Sequence, residues 1–250
     1  MATKLERAHL VVGVDDEQRG HGVGEKVPIL LPVGANAHGE LALVQQVPDS
    51  GRLKEPVGAN GGEGCHERTL DAGRPDAVAT RHARNRRTAR ENIADLVDPG
   101  SFVEYAPLVV AAQRRRRSHE ELLERTPADG LVGGIGAIDG RSVVAMSYDY
   151  TVLAGTQGLW NHLKKDRLFE LAERLRLPVV LFAEGGGGRP GDTDGLGVSG
   201  LDCMAFHLFG RLSGRVPLVG IASGFCFAGN AALLGCCDLV VATPDAHIGM

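Results

Sequence analysis

The sequence holds 250 residues, 43% hydrophobic and 23% charged, with a formal net charge of −4. That is enough chain for one large domain or two small ones, and the charge gives no general pull toward nucleic acid or an anionic membrane. No apolar run approaches the ~20 residues of a spanning helix, and Met1 to Arg7 lacks the long apolar stretch of a signal peptide. Five cysteines, Cys65, Cys203, Cys226, Cys236 and Cys237, lie mostly in apolar segments. An odd number so placed suits a reduced, cytoplasmic setting rather than a disulfide framework. Cys236-Cys237 has no CxxC partner and no His at ligand spacing, so buried thiols and no metal are expected.

Residues 1–75 carry none of the eleven aromatic residues (seven Phe, three Tyr, one Trp), the first of which is Phe102. Aromatics supply much of a core's buried area. Short apolar runs occur at His9 to Val14 and Val27 to Val33, but Gly-rich polar stretches such as Gly58 to Gly64 separate them. The segment reads as a weakly ordered or atypical extension, and 76–250 as the folded domain.

From Pro75 the pattern changes. In Thr88-Ala89-Arg90-Glu91, Thr88 is placed as a helix N-cap and Glu91, three residues on, completes a capping box. Ile93, Leu96 and Val97 give the apolar stripe, and Asp98-Pro99-Gly100 ends it. The basic run Arg114 to Arg117 reads more readily as a solvated face than as a contact for an anionic partner.

Leu131 to Ile138 and Ser142 to Tyr150 are β-rich runs joined by Asp139-Gly140, a tight-hairpin dipeptide. Next, Leu159, Trp160, Leu163, Leu168, Leu171, Ala172 and Leu175 recur at helical spacing. They predict a helix from about Thr156 to Arg176 with that face buried. Then a unit repeats. Pro178 to Gly185 is a buried strand running into glycine, and Pro217 to Gly224 does the same 39 positions later. Helices are predicted after each, at about Gly200 to Ser213 and Ala228 to Gly235, and Asp238 to Thr243 reads as a further strand. Apolar strands alternating with helices imply an α/β fold, its parallel sheet covered on both faces and its strand–helix turns stacked as a superhelix.

Glycine between a strand and a helix N-terminus lets backbone N–H groups approach a ligand closely. Such groups bind a phosphate or a developing oxyanion. Glu184-Gly185-Gly186-Gly187-Gly188-Arg189 is one such loop, and Gly224 opens a second. The first lacks both the GxGxxG order of dinucleotide folds and the Lys-Ser/Thr of a P-loop.

In order, Thr88 to Ile93, Asp98 to Glu104, Gly130 to Gly136, Asp149 to Thr156 and the two Gly loops resemble the N-terminal half of the carboxyltransferase subunit of biotin-dependent acyl-CoA carboxylases, such as acetyl-CoA and propionyl-CoA carboxylase. The resemblance runs from about Asp76 to Met250. It implies a crotonase-like ββα superhelix, and it implies carboxyl transfer from carboxybiotin to the α-carbon of an acyl-CoA through an enolate. By the same resemblance, the N–H groups of Gly186 and Gly187 steady the enolate oxygen. The resemblance further implies that Gly188, Arg189, Gly224, Phe225, Cys226, Ala228 and Gly229 contact acyl-CoA. Carboxybiotin arrives on a partner, so biotin carboxyl carrier and biotin carboxylase components, and a homo-oligomeric complete form, are implied.

The sequence departs from the family in several places. Glu184 and Gly185 stand where the family has Asp and Ser, and bulky Phe225 and Phe227 where it has small residues. The four-cysteine zinc ribbon of the bacterial acetyl-CoA carboxylase β subunit and a biotinyl Ala-Met-Lys-Met signature are both absent. The sequence stops at His247-Ile248-Gly249-Met250, where the family continues into its biotin-binding half. The expectation is therefore an incomplete fold, with little activity from this chain alone. Two other readings are a crotonase-type hydratase or isomerase, which needs a carboxylate acid or base in the pocket, and a non-catalytic truncated fragment.

Overall fold

The structure, a computed structural model, describes residues 8–10, 27–29, 59–194 and 203–250, with side chains from Gly64 onward. Strands β1 (Ala8–Leu10) and β2 (Val27–Ile29) pair antiparallel. The remainder of the expected extension up to residue 58 lies outside the described residues. Helix α1 (Ala59–Thr69) leads into α2 (Pro75–His82), which opens on proline, where the missing N–H costs nothing. Residues before position 75 pack against residues after it. Arg68 donates to Glu124 (3.0 Å), Thr88 Oγ1 to Asp71 (2.5 Å) and Arg90 Nε to the Thr69 carbonyl (3.0 Å).

Helix α3 (Ala89–Leu96) carries the predicted capping box: Thr88 accepts from the Glu91 N–H, and the Glu91 carboxylate accepts from the Thr88 N–H. After β3 (Val103–Glu104) comes α4 (His119–Arg125), capped by Ser118. Strands β4 (Leu131–Ile138) and β5 (Arg141–Tyr148) form the hairpin expected from Asp139-Gly140. Both turn residues take positive φ, 49° and 75°. The Asp98 carboxylate accepts their N–H groups at 3.0 and 2.8 Å, which ties the turn to the end of α3.

The chain continues through α5 (Leu159–Leu175), β6 (Val179–Phe182), α6 (Ala205–Leu212), β7 (Leu218–Ala222), β8 (Phe225–Phe227), α7 (Gly229–Gly235), β9 (Leu239–Ala242) and β10 (His247–Gly249). The first residues of the helix predicted from Gly200 lie outside the described residues. Six strands form one sheet in the order β3-β4-β5-β6-β7-β9. It is mixed rather than wholly parallel: the β3–β4 and β4–β5 pairs are antiparallel, and the rest parallel. Both faces are covered, as the continuous apolar strands require. Leu131, Val144, Met146 and Leu181 pack under Leu168 and Phe169 of α5 and Phe209 of α6. Val132, Ala145, Val180 and Val219 pack under Ile93 and Leu96 of α3 on the opposite face.

Two expectations need correction here. Cys236 is exposed and Cys237 only partly buried, so the pair is not the buried one expected. The buried face of α5 is not the predicted stripe. Trp160, Leu163 and Leu175 are exposed, whereas Asn161, His162, Lys164, Lys165 and Asp166 are buried beside Leu168, Phe169 and Ala172. Polar partners inside the fold decide the rotation. Asn161 meets Asp129, Lys164 meets the Leu131 carbonyl, and Lys165 meets Gln157 and Tyr148. Buried polar groups are tolerated when they are hydrogen-bonded.

Candidate functional site

The two Gly loops follow β6 and β7, neighbouring parallel strands, so they emerge side by side at one end of the sheet. They are stitched together. Gly185 N–H donates to the Phe225 carbonyl (2.7 Å) and Phe227 N–H to the Gly185 carbonyl (2.8 Å). On its other side β8 pairs with β10. This close approach needs glycine. A Cβ on Gly185 would lie 2.2 Å from Asn230 Nδ2 and 2.4 Å from the Gly155 carbonyl oxygen. Gly187 has φ +83°, and a Cβ there would lie 2.6 Å from Ala228 Cβ and 3.3 Å from Gly229 N. The first loop therefore rests on the N-terminus of α7.

The two N–H groups expected to face a ligand are used internally. Gly186 N–H donates to the Ala154 carbonyl (3.0 Å) and Gly187 N–H to Asn230 Oδ1 (3.0 Å). Among the described residues, the N–H groups of Gly188 and Gly229 have no acceptor. The reason for the first is geometric. The Gly187 carbonyl accepts from Gln157 N–H (2.7 Å). In a trans peptide the following N–H points the opposite way, so Gly188 N–H is aimed outward. Gly188 is exposed.

Arg189 does not face outward either. Its side chain is 2% exposed and is paired with the fully buried Asp129. Its Nη2 donates to the Thr156 carbonyl (2.8 Å). It anchors the loop to the turn before α5. Asp192 accepts from Leu159 N–H (2.9 Å) and Asp194 from the N–H groups of Arg114 and Arg115 (2.9 and 3.2 Å), so both hold backbone. The side chains of that basic run are largely exposed, with Arg117 paired to Glu121.

Glu184, at the start of the loop, is buried and bidentate to Arg81 of α2, at 3.1 and 2.5 Å. The Arg81 guanidinium also lies 5.6 Å from the Tyr150 ring centroid. Gly224 packs directly on the Glu184 carboxylate, where a Cβ would come within 2.2 Å. Arg86 reaches the same loop, donating to the Ser223 carbonyl and pairing with Asp245 (2.6 Å).

In the second loop, Cys226 is buried and points into the core, and burial, with the nearby Glu184 charge, pushes its thiol up to about 11. Phe225 and Phe227 lie on the opposite face of β8, 45% and 38% exposed. Their rings are 6.0 Å apart, with Tyr150 and His247 6.3 and 5.2 Å from Phe225. Ala228 precedes α7 at φ 48°, ψ −120°, a backbone conformation that costs a side-chain-bearing residue energy.

Behind the loops lies a polar cluster that pattern reading missed. Lys165 Nζ donates to Gln157 Oε1 (2.6 Å) and to Tyr148 Oη (3.1 Å). Gln157 Nε2 donates to Asn230 Oδ1 (2.8 Å). Burial lowers the Lys165 ammonium to about 7. His162, on the same helix, is lowered to about 3, first by burial and then by the charges of Lys165 and Arg189. The polar residues Tyr148, Gln157, Lys165 and Asn230 were the available signal. The apolar residues of α5 hid it. Among the described residues no three His, Cys, Asp or Glu side chains converge as a metal site, and no helix is long and apolar enough to cross a membrane.

Comparison with known proteins identifies the family. Residues 80–250 match the carboxyl transferase domain family. The chain is 36% identical over 164 residues to the propionyl-CoA carboxylase beta chain of Saccharopolyspora erythraea, covering 66% of this chain and 29% of that one. It is 34% identical over 174 residues to the methylmalonyl-CoA carboxyltransferase 12S subunit of Propionibacterium freudenreichii subsp. shermanii, covering 68% and 32%. The chain therefore spans about a third or less of these curated relatives. Among solved structures, a single-chain, multi-domain long-chain acyl-CoA carboxylase is similar at 60% identity and a TM-score of 0.72, over 78% of this chain and 20% of that one. The transcarboxylase 12S hexamer with hydrolysed methylmalonyl-CoA bound is similar at 28% identity and 0.64, over 76% and 36%. The mixed α/β architecture is accordingly the crotonase-like fold that the sequence resemblance implied. The chain belongs to the carboxyl transferase domain family.

Proposed function

We propose that residues 76–250 carry the acyl-CoA half-site of a biotin-dependent carboxyltransferase, and that the two Gly loops stabilise an acyl-CoA enolate. The observation that carries this reading is a pair of N–H groups unpartnered among the described residues: Gly188, which follows Gly187, and Gly229, whose nitrogen would lie 3.3 Å from a Cβ on Gly187. They replace Gly186 and Gly187 as the donors for the thioester oxygen.

In the net reaction the α-carbon would exchange its proton for the carboxyl group, and the biotin nitrogen would exchange the carboxyl group for that proton. The thioester oxygen carries negative charge in between. One preorganised donor to such an oxygen is worth about 3–4 kcal/mol. Carboxybiotin, brought by a carrier domain or subunit, supplies the carboxyl group. The residues described here act on the thioester, and none is assigned to biotin. Carrier and biotin carboxylase components, a homo-oligomeric assembly and a cytoplasmic setting complete the reading, as the family relationship supports.

Phe225 and Phe227 offer apolar surface beside Gly187 and Ala228 for the acyl chain. The long-chain substrate of the 60% identical solved relative supports a long acyl group here too. Gly224 and Cys226 shape this loop from beneath, and Arg189 holds the first loop rather than touching CoA. A hydratase or isomerase is not favoured. The carboxylate nearest the loops, Glu184, is locked in a bidentate pair with Arg81 and is not poised as a base.

Calorimetric titration of the chain with CoA, acetyl-CoA and decanoyl-CoA tests the assignment. The expected order of affinity is decanoyl-CoA, then acetyl-CoA, then CoA. Absence of binding to all three would count against the half-site.

A further inference from the structure

We propose that Lys165 is a positioning residue for the oxyanion loop, acting through Gln157 and Asn230; this rests on the carboxyltransferase reading above. Lys165 is fully buried, and among the described residues no carboxylate lies within ion-pair distance of it. Its described hydrogen-bond partners are the neutral Gln157 Oε1 and Tyr148 Oη. A buried ammonium placed this way is not explained by stability, since an apolar residue of similar length is often as good or better there.

Its consequence is direction. An amide side chain can turn over and exchange its donor and acceptor ends. As an ammonium, the form it holds below about pH 7, Lys165 has only donors, so it holds Gln157 with Oε1 toward itself and Nε2 toward Asn230. Facing that donor, Asn230 presents Oδ1. The same oxygen then accepts Gly187 N–H at 3.0 Å. Were the Gln157 amide to turn over, Asn230 would follow, and its Nδ2 would face Gly187 N–H, donor against donor. The chain Lys165 → Gln157 → Asn230 ← Gly187 therefore has one sense, set by the ammonium.

That sense decides where the catalytic donors sit. Gly187 is held at its N–H by Asn230 and at its carbonyl by Gln157 N–H. Its next peptide thus turns Gly188 N–H outward. Asn230 follows Gly229, the second donor, in the first turn of α7. One side chain thereby sets both N–H groups relative to each other. Asn230 Nδ2 is buried with no partner, packed on the Gly185 backbone, so Asn230 is held by its oxygen alone.

The test uses cinnamoyl-CoA, whose ultraviolet absorption moves to the red when hydrogen-bond donors polarise its thioester carbonyl. At about pH 6, where Lys165 is charged, Lys165→Met and Gln157→Leu are compared with the parent chain for this red shift, for affinity toward CoA itself and for thermal midpoint. The expected result is loss of the red shift in both variants, with CoA affinity unchanged. In the double variant the loss is no greater than in either single one. An undiminished red shift in either folded variant would overturn the positioning role while leaving the half-site intact. Should Lys165→Met not fold, Gln157→Leu decides alone. A parent chain that binds cinnamoyl-CoA with no red shift, or does not bind it, would remove the enolate reading and this inference with it.

Discussion

Asn230 Oδ1 lies 3.0 Å from the Gly187 amide nitrogen and 2.8 Å from Gln157 Nε2, joining the first Gly loop, the turn before α5 and the start of α7 at one atom. Replacing Asn230 with Leu leaves Gly187 N–H and Gln157 Nε2 buried without acceptors. The expected cost is about 1–3 kcal/mol for each group left unsatisfied, read as a lower urea midpoint with an unchanged m-value.

The glycines of the first loop are not equivalent. Gly187→Ala places a methyl 2.6 Å from Ala228 Cβ at a φ of +83°. Gly186→Ala meets Thr156 Cγ2 at 3.2 Å and the Ala154 carbonyl oxygen at 3.5 Å, with no positive φ. The Gly187 substitution is expected to cost at least about 1–2 kcal/mol for the left-handed backbone alone, and Gly186→Ala clearly less. Paired chemical denaturation curves check the ranking.

Arg81 and Glu184 are both buried and joined by two hydrogen bonds, so removing one partner strands a charge. Arg81→Met is expected to destabilise by about 3–5 kcal/mol. Arg81→Met combined with Glu184→Gln should recover part of that loss. Additive losses in a double-mutant cycle would show that the pair is not coupled.

Lys165 gives a pH signature of defined sign. Its ordinary value of 10.5 falls to about 7 in the fold because burial disfavours the ammonium. Between about pH 7 and 10.5 the unfolded chain holds the proton that the folded chain has released, so stability from this group rises with pH. Below about 7 both states are protonated and the full penalty stands. Relative to Lys165→Met, the parent chain should therefore gain stability on going from pH 7 to pH 10. A pH-independent difference between the two would contradict this.

His162 acts on the acid side. Its value is lowered from 6.5 to about 3, mainly by burial. As pH falls from 6.5 toward 3 the unfolded chain takes up a proton that the folded chain refuses, and stability is lost. His162→Phe should flatten that part of the profile, measured as thermal midpoint against pH.

Short-range chemistry is legible in the sequence alone. Thr88 and Glu91 cap α3 because the capping box is written in four consecutive residues, and Asp139-Gly140 turns the hairpin because the two residues can take positive φ. Glycine after a buried strand locates both loops. The face of α5 escapes this kind of reading because helical periodicity counts apolar residues and is blind to partners. Asn161, Lys164 and Lys165 are turned inward by Asp129, the Leu131 carbonyl, Tyr148 and Gln157, which the pattern does not weigh.

The order of residues thus suffices for the strand–glycine–helix units, their succession and the family to which they belong, since these rest on local propensity and on matching residues in order. Long-range packing selects which backbone N–H groups remain available. Gly186 and Gly187 lose theirs to Ala154 and Asn230, and Gly188 and Gly229 keep theirs. That choice depends on contacts such as Gln157 to Asn230, 73 positions apart, and Arg81 to Glu184, 103 apart. A hydrogen bond's direction is set only when both partners are in place, and folding alone brings them together.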